Sequence, residues 1–262
     1  MKVPRVLIVA GSDSGGGAGI QADIKTVSAL GGHAMTAITA VTAQNTLGVQ
    51  AVHAVPAAMV AQQMRSCLDG IGADVIKLGM LGSAETAASV ADVLNGLDVP
   101  VVVDPVMVAT SGDLLADADT VAAFGRLLGL ARVVTPNLPE LAALGGRAAV
   151  LAHGCWLVEK GGHAQGPGVT DRLVAPTGDE VRTLSAKRID TRATHGTGCT
   201  FAAAMATALG AGHSVEAAFE VAVRFVRMAM VEAPGLGGGH GPLGQQFVDD
   251  FRDAGEWPSD PR

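Results

Sequence analysis

Short apolar runs alternate with longer amphipathic segments along most of the chain. RVLIVAG (5–11) is β-branched and of strand length, and AGIQADIKTVSALGG (18–32) carries apolar positions at helical spacing and closes on glycines. AMTAITAVTAQN (34–45) predicts a second strand. PAAMVAQQMRSCLDGIG (56–72) predicts a helix opened by proline, with Met59, Gln63 and Met64 at helical spacing. DVIKLGM (74–80), VPVVVDPVM (99–107) and ARVVTPN (131–137) predict three buried strands ending in Gly, Asp-Pro and Pro-Asn. SAETAASVADVLNGL (83–97) and LPELAALGG (138–146) read as helices among them. CWLVEKGGH (155–163), a hairpin from Val169 to Leu184 and two helices at 197–211 and 214–233 complete the series. This alternation predicts an α/β domain with a central, mainly parallel sheet and helices on both faces. With no internal repeat and no linker before the Gly-rich stretch at 235–244, residues 1–245 form one expected domain and 246–262 a C-terminal tail.

Composition narrows the function classes. With 48% hydrophobic and 16% charged residues among 262, the chain can fill a sizeable core. A net charge of −7 argues against nucleic acid or an anionic membrane as partner, because phosphate surfaces attract clustered Lys and Arg. Cys67, Cys155 and Cys199 are odd in number and far apart, which suits a reducing cytoplasm and no disulfide framework. The apolar run after Met1–Lys2 is too short for a secretory segment and Asp13 follows it closely. No stretch reaches the length of a membrane span. The expectation is a soluble, cytoplasmic protein.

In open parallel sheets ligands bind at the carboxyl ends of the strands. Polar and glycine residues recur there: Gly11 and Asp13, Gln44, Lys77 and Met80, Asp104, Asn137 and Glu140, Lys160. THGTGCT (194–200) then runs into an alanine-rich helix, so several backbone N–H groups and a helix N-terminus converge on one spot that favours anions. GAGIQA (17–22) matches a dinucleotide fingerprint, but the next strand lacks the acidic residue that would complete it. No Gly-Lys pair exists for a Walker A loop, and the protein-kinase motif set is absent.

AGSDSGGGAGIQADIKT, VTAQNTLGVQ, KLGML, VVVDPVMVATSG, TPNLPEL, EKGGH and THGTGCT occur in an order that resembles the hydroxymethylpyrimidine/phosphomethylpyrimidine kinase family of the ribokinase-like superfamily. The resemblance runs from about Val6 to GGGHGPL near residue 243. It implies a ribokinase-like single domain and ATP-dependent phosphorylation of 4-amino-5-hydroxymethyl-2-methylpyrimidine, then of its monophosphate, for thiamine biosynthesis. It also implies Mg²⁺ with the ATP, and a homodimer. The chain departs from the family at GGRAAVLAH (145–153), where a longer segment with an additional helix is usual, and at Arg192-Ala193, where Lys-Asn is common.

Phosphoryl transfer needs positioning and stabilisation of charge on the moving group. The N–H groups of Gly196, Thr197, Gly198 and Cys199 suit that task. Cys199 reads either as a small buried hydrophobe or as a base. A helix N-terminus favours its thiolate, and the superfamily places its base at this position. Lys160 reads as a phosphate contact, with a snorkelling lysine as the alternative. Asn137 and Glu140, three apart, suit magnesium held through water and resemble the superfamily's N-x-x-E motif; they equally suit a helix cap. Asp104 either joins the metal's water shell or ends a strand. Gln44 offers the donor and acceptor that match an aminopyrimidine edge. By the resemblance Gly11, Asp23, Val41 and Met80 complete the pocket, although Asp23 also reads as part of a solvated helix face. A pyridoxal or pyridoxine kinase is the second reading, and a non-catalytic small-molecule sensor the third.

Overall fold

Five consecutive apolar residues, Val6 to Ala10, are all buried. A strand without polar alternation needs cover on both faces, and each fully buried Val, Leu or Ile contributes about 1.5–3 kcal/mol. A computed structural model, which describes residues 3–107, 118–163 and 166–248, provides that cover. Strand β1 (Arg5–Asp13) lies within a nine-stranded sheet of order β3-β2-β1-β4-β5-β6-β7-β8-β9. The others are β2 (His33–Asn45), β3 (Gly48–Ala54), β4 (Val75–Leu78), β5 (Val101–Val103), β6 (Val133–Val134), β7 (Trp156–Glu159), β8 (Gly168–Val174) and β9 (Glu180–Lys187). Strands β2 through β7 in that order run parallel, and β3, β8 and β9 pair antiparallel at the edges.

Side chains alternate between two layers. Leu7, Val9, Ile76 and Leu78 pack with Val60 and Met64 of α2 (Ala57–Gly70), Ala87 and Val90 of α3 (Ala84–Leu94), and Phe124 and Leu127 of α4 (Ala118–Leu128). Val6, Ile8, Val75 and Val102 face Ile20 and Val27 of α1 (Gly19–Ala29) and Ala202 and Ala206 of α7 (Thr197–Gly210). Helix α8 (Val215–Val231) packs on α7, with Phe219 edge-on to Phe201. The alanines of α7 bury nearly its whole surface and let it lie close against the sheet.

After β1 the chain places β2 on one side, makes the β2–β3 hairpin, and returns through α2 to place β4 on the other side. That reversal opens a crevice at the carboxyl ends of β1 and β4. The hairpin from Val169 to Leu184 is present as β8–β9. Strand β3 carries no signal in the hydrophobic pattern because most of it is exposed, so burial imposes no alternation.

The short segment 145–153 still forms a helix, α6 (Arg147–Leu151), after α5 (Leu138–Ala143). Arg147 ties it to β7 by paired bonds to Glu159 of 2.8 and 2.7 Å. At the other end, the 3₁₀ turn Gln245–Phe247 buries Gln245, whose amide donates to the Thr200 hydroxyl at 3.0 Å, and Val248 joins the core. The packed chain thus continues past residue 245, and 249–262 lie outside the described residues. Among the described residues no helix is long and apolar enough to cross a membrane.

Candidate functional site

A cavity of about 1570 Å³ opens over the carboxyl ends of the strands. Its wall holds Gly11, Gln44, Met80, Asp104, Asn137, Glu140, Lys160 and the loop Gly196–Cys199. Residues from eight elements or the loops beside them therefore meet at one place, as the strand-end pattern predicts.

The loop before α7 is built for close approach. Gly196 caps the helix at φ +86°, and a Cβ there would run into the carbonyl of Gly17, so both its conformation and its missing side chain are required. The Arg192 carbonyl accepts from Thr194 N–H and Gly241 N–H, each at 3.0 Å, and Gly241 in turn accepts from His195 N–H at 3.1 Å. Anchoring thus runs through the backbone of Arg192, which explains how the loop tolerates a departure in side chain there.

Cys199 stands where the first turns of α1 and α7 meet, and its sulfur accepts from the Gly19 N–H. Burial pushes its thiol up to about 12; Lys77 and the Gly19 N–H pull it down, while Asp23 and Asp104 push it further up. Desolvation here opposes and outweighs the helix dipole that favours a thiolate, so the thiol form is favoured.

Lys160 follows β7, and its Nζ donates to Asp104 Oδ1 at 2.9 Å. The Thr135 hydroxyl donates to the same oxygen at 3.2 Å. A Cβ on Gly198 would stand 3.3 Å from Lys160 Nζ and 3.4 Å from Asp104 Oδ2, so this pair borders the anion loop directly. Burial lowers the Lys160 pKa, but Asp104 and Glu140 outweigh it and hold the ammonium charged.

Asn137 and Glu140 form a complete capping box on α5: Glu140 N–H donates to Asn137 Oδ1 at 2.9 Å, and Asn137 N–H donates to Glu140 Oε2 at 2.8 Å. Burial raises the Glu140 carboxyl to about 7, with Lys160 opposing and Asp104 adding to the rise. Among the described residues no three His, Cys, Asp or Glu side chains gather to hold a metal by themselves.

At the other end of the cavity the Gln44 amide lies 3.2 Å from the Thr42 hydroxyl and 3.3 Å from His195 Nε2. His195 Nε2 also meets Asp13 Oδ2 at 2.9 Å. Asp13 further accepts from the N–H groups of Gly15, Gly17 and Ala18. Burial pushes its carboxyl up, yet His195 and the N–H groups of Ala18 and Gly15 win and hold it below the usual range. The carboxylate thus locks the loop after β1 to the anion loop. Gly11 leaves room for the Met80 side chain, which a Cβ would strike.

Two residues of the expected pocket are placed elsewhere. Val41 is 48% exposed, because the period of two along β2 sends Thr42 and Gln44 inward and Val41 outward. Asp23 is fully buried behind the wall and accepts from Lys77 Nζ at 2.8 Å, so neither a ligand contact nor a solvated helix face describes it. The Asp13–His195 lock is the feature that sequence reasoning missed. Its signal was an aspartate ahead of GGGAG, where several free N–H groups call for one acceptor.

The pattern of the phosphomethylpyrimidine kinase family matches residues 13–244. A hydroxymethylpyrimidine/phosphomethylpyrimidine kinase of Streptomyces coelicolor is 49% identical over 254 residues, which cover 92% of this chain and 93% of its own. Among solved structures, a Bacillus subtilis pyridoxal kinase complexed with ADP has a TM-score of 0.83 at 32% identity, covering 92% of this chain and 97% of its own. A phosphomethylpyrimidine kinase from Clostridium difficile has a TM-score of 0.73 at 32% identity, covering 87% of this chain and 99% of its own.

Proposed function

We infer the function from one premise: this chain belongs to the phosphomethylpyrimidine kinase family. It is an ATP-dependent kinase of thiamine biosynthesis that phosphorylates 4-amino-5-hydroxymethyl-2-methylpyrimidine and then its monophosphate. The observation that carries this reading is the convergence in one cavity of an anion loop, a lysine, a cysteine and a planar amide. In the first transfer the hydroxymethyl oxygen attacks the γ-phosphorus, the bond to ADP breaks, and the hydroxyl proton passes to Cys199 as thiolate. The N–H groups of residues 196–199 and Lys160 balance the charge spread over the moving phosphoryl. Gln44 reads the aminopyrimidine edge, with Gly11 and Met80 shaping the ring's place.

Magnesium fits this donor set as a hydrated ion shared with the phosphates. Asp104 and Glu140 bring two carboxylates to one ammonium, Lys160, leaving negative charge in a buried place that a cation relieves. When bound, the ion would be held through water by Asp104, Asn137 and Glu140 and would offset the charge of the phosphates. Asn137 holds the Glu140 backbone in place. The protein works in the cytoplasm as a homodimer, readings supported by three free cysteines and by the exposed Leu47 and Val52 on the edge hairpin.

A pyridoxal kinase is the second reading, because the B. subtilis pyridoxal kinase has the higher TM-score of the two structures. Purified protein with Mg-ATP and each alcohol separates them: kcat/KM for the pyrimidine should exceed that for pyridoxal. The reverse order would favour the second reading, and no turnover of either would leave a binding protein.

Two variants probe the ends of the cavity. Gln44→Leu leaves the ring's polar atoms unpaired and should cost roughly 1–3 kcal/mol of pyrimidine binding, with ATP affinity unmoved. An unchanged pyrimidine KM would remove Gln44 from the site. Glu140→Gln keeps the shape of the cap. Because the folded protein holds the Glu140 proton up to about pH 7 and an unfolded chain releases it near its ordinary value of 4.5, ionised Glu140 weakens the fold as pH rises through that window. At pH 8 the variant should therefore melt no lower than the parent, yet need more magnesium and turn over more slowly. A lower melting temperature with normal magnesium dependence would leave Glu140 as a cap alone.

A further inference from the structure

Lys77 and Asp23 are both 0% exposed, joined by one 2.8 Å bond, and the second oxygen of Asp23 is buried without a hydrogen-bond partner. Such a pair is poor evidence of a stabilising device, since apolar residues of similar size often serve a core as well or better. Its position is more informative. Lys77 is the third residue of β4, beside the crevice where the strand order reverses, and its Nζ lies where a Cβ on Gly79 would come within 2.8 Å. It forms part of the cavity wall, whereas Asp23 sits behind it on α1, the helix whose first N–H faces the Cys199 sulfur.

Four charged groups act on Cys199: Lys77 from β4, Asp23 from α1, Asp104 after β5 and Lys160 after β7. Lys160 is engaged with Asp104 and borders Gly198. Lys77, whose Nζ is bound to Asp23 one turn beyond Gly19 on α1, shares the cavity wall with Cys199. We propose that Lys77, held by Asp23, is a positioning residue that supplies the counter-charge for the Cys199 thiolate, and so sets how readily this cysteine takes the proton of the alcohol. The proposal rests on the reading of Cys199 as base. In the step itself the O–H bond breaks, the proton joins the sulfur, the oxygen–phosphorus bond forms, and the electron pair of the broken phosphate bond leaves with ADP. Lys77 keeps its proton throughout: burial lowers its pKa, but Asp23, Cys199 and Asp104 raise it further. Its part is electrostatic.

The test measures iodoacetamide labelling of Cys199 against pH in the full-length protein, read by mass spectrometry of its peptide, in Lys77→Met and Asp23→Asn. An opposite charge close by shifts a pKa by about one to three units, so Lys77→Met should label at least about tenfold more slowly at pH 9. Asp23→Asn leaves the ammonium unopposed and should label faster. Alcohol phosphorylation should follow the same two directions, with monophosphate turnover moving less. Mere loosening of the structure would speed labelling in both variants, and that result overturns the proposal, as does labelling unchanged in both. If Lys77→Met does not fold, Lys77→Gln takes its place, slower labelling supporting the proposal and unchanged or faster labelling overturning it. Opposite shifts in labelling with no matching change in alcohol turnover would sink the base reading of Cys199 itself, while leaving the electrostatic coupling of Lys77 to the thiol intact.

Discussion

Cys199→Ala should slow phosphorylation of the hydroxymethyl substrate by about 10²- to 10⁴-fold, the usual contribution of a positioned base, and slow phosphorylation of the monophosphate far less. The difference lies in the two nucleophiles. An alcohol must lose its proton as the phosphoryl group arrives. A phosphate monoester has its second pKa near 6 and at neutral pH already offers an ionised oxygen. Both substrates meet the same anion loop, so any general damage to the loop would lower both rates together. Cys199 occupies the third residue of α7, and alanine keeps the helix there, so the backbone donors should survive. The check is kcat for each substrate with ATP saturating and the fold verified by circular dichroism. Equal losses would make the cysteine a piece of loop architecture.

Lys160→Ala should show the opposite bias, with a loss of about 10²- to 10³-fold on the monophosphate, the scale expected when one fixed electrostatic donor is removed from a transition state. The second transfer brings two anionic phosphates together, and Lys160 stands at the anion loop where they must meet. Its removal also leaves Asp104 and Glu140 without the cation that separates them. Magnesium dependence should steepen in the same variant, because the ion then has more negative charge to offset. The measurement is the ratio of alcohol to monophosphate turnover across a magnesium titration. A heavier loss on the alcohol would place Lys160 on the wrong side of the chemistry.

What could be read from the chain followed from what burial imposes on it. The strands β1 and β5 are covered on both faces, so they had to be continuous apolar runs, and their carboxyl ends had to carry the polar residues. The anion loop was equally legible, because Gly196 meets a close backbone approach that a side chain would block. Strand β3 was hidden because solvent reaches most of it. Val41 was misplaced because a family likeness names a residue without fixing the phase of its strand, whereas Thr42 and Gln44 on the wall fix it. Asp23 and Lys77 were hidden for another reason. They lie 54 positions apart in sequence, and nothing local announces that a helix and a strand will bury one charge against the other. The state of the Cys199 thiol could not be read either, since a helix terminus argues one way and desolvation the other, and only the packed site shows which prevails.

The account's central claim is that one cavity carries out both transfers but needs a base for only the first. The most direct test is the pH dependence of the two transfers in the unaltered enzyme, measured side by side from pH 7 to 9. A base that acts as thiolate, with its thiol pushed up to about 12, is scarce throughout that range and gains with every increment of pH. Alcohol phosphorylation should therefore rise about tenfold per pH unit, while monophosphate phosphorylation, whose nucleophile is already ionised above pH 7, should stay nearly flat. Parallel profiles for the two substrates would contradict it.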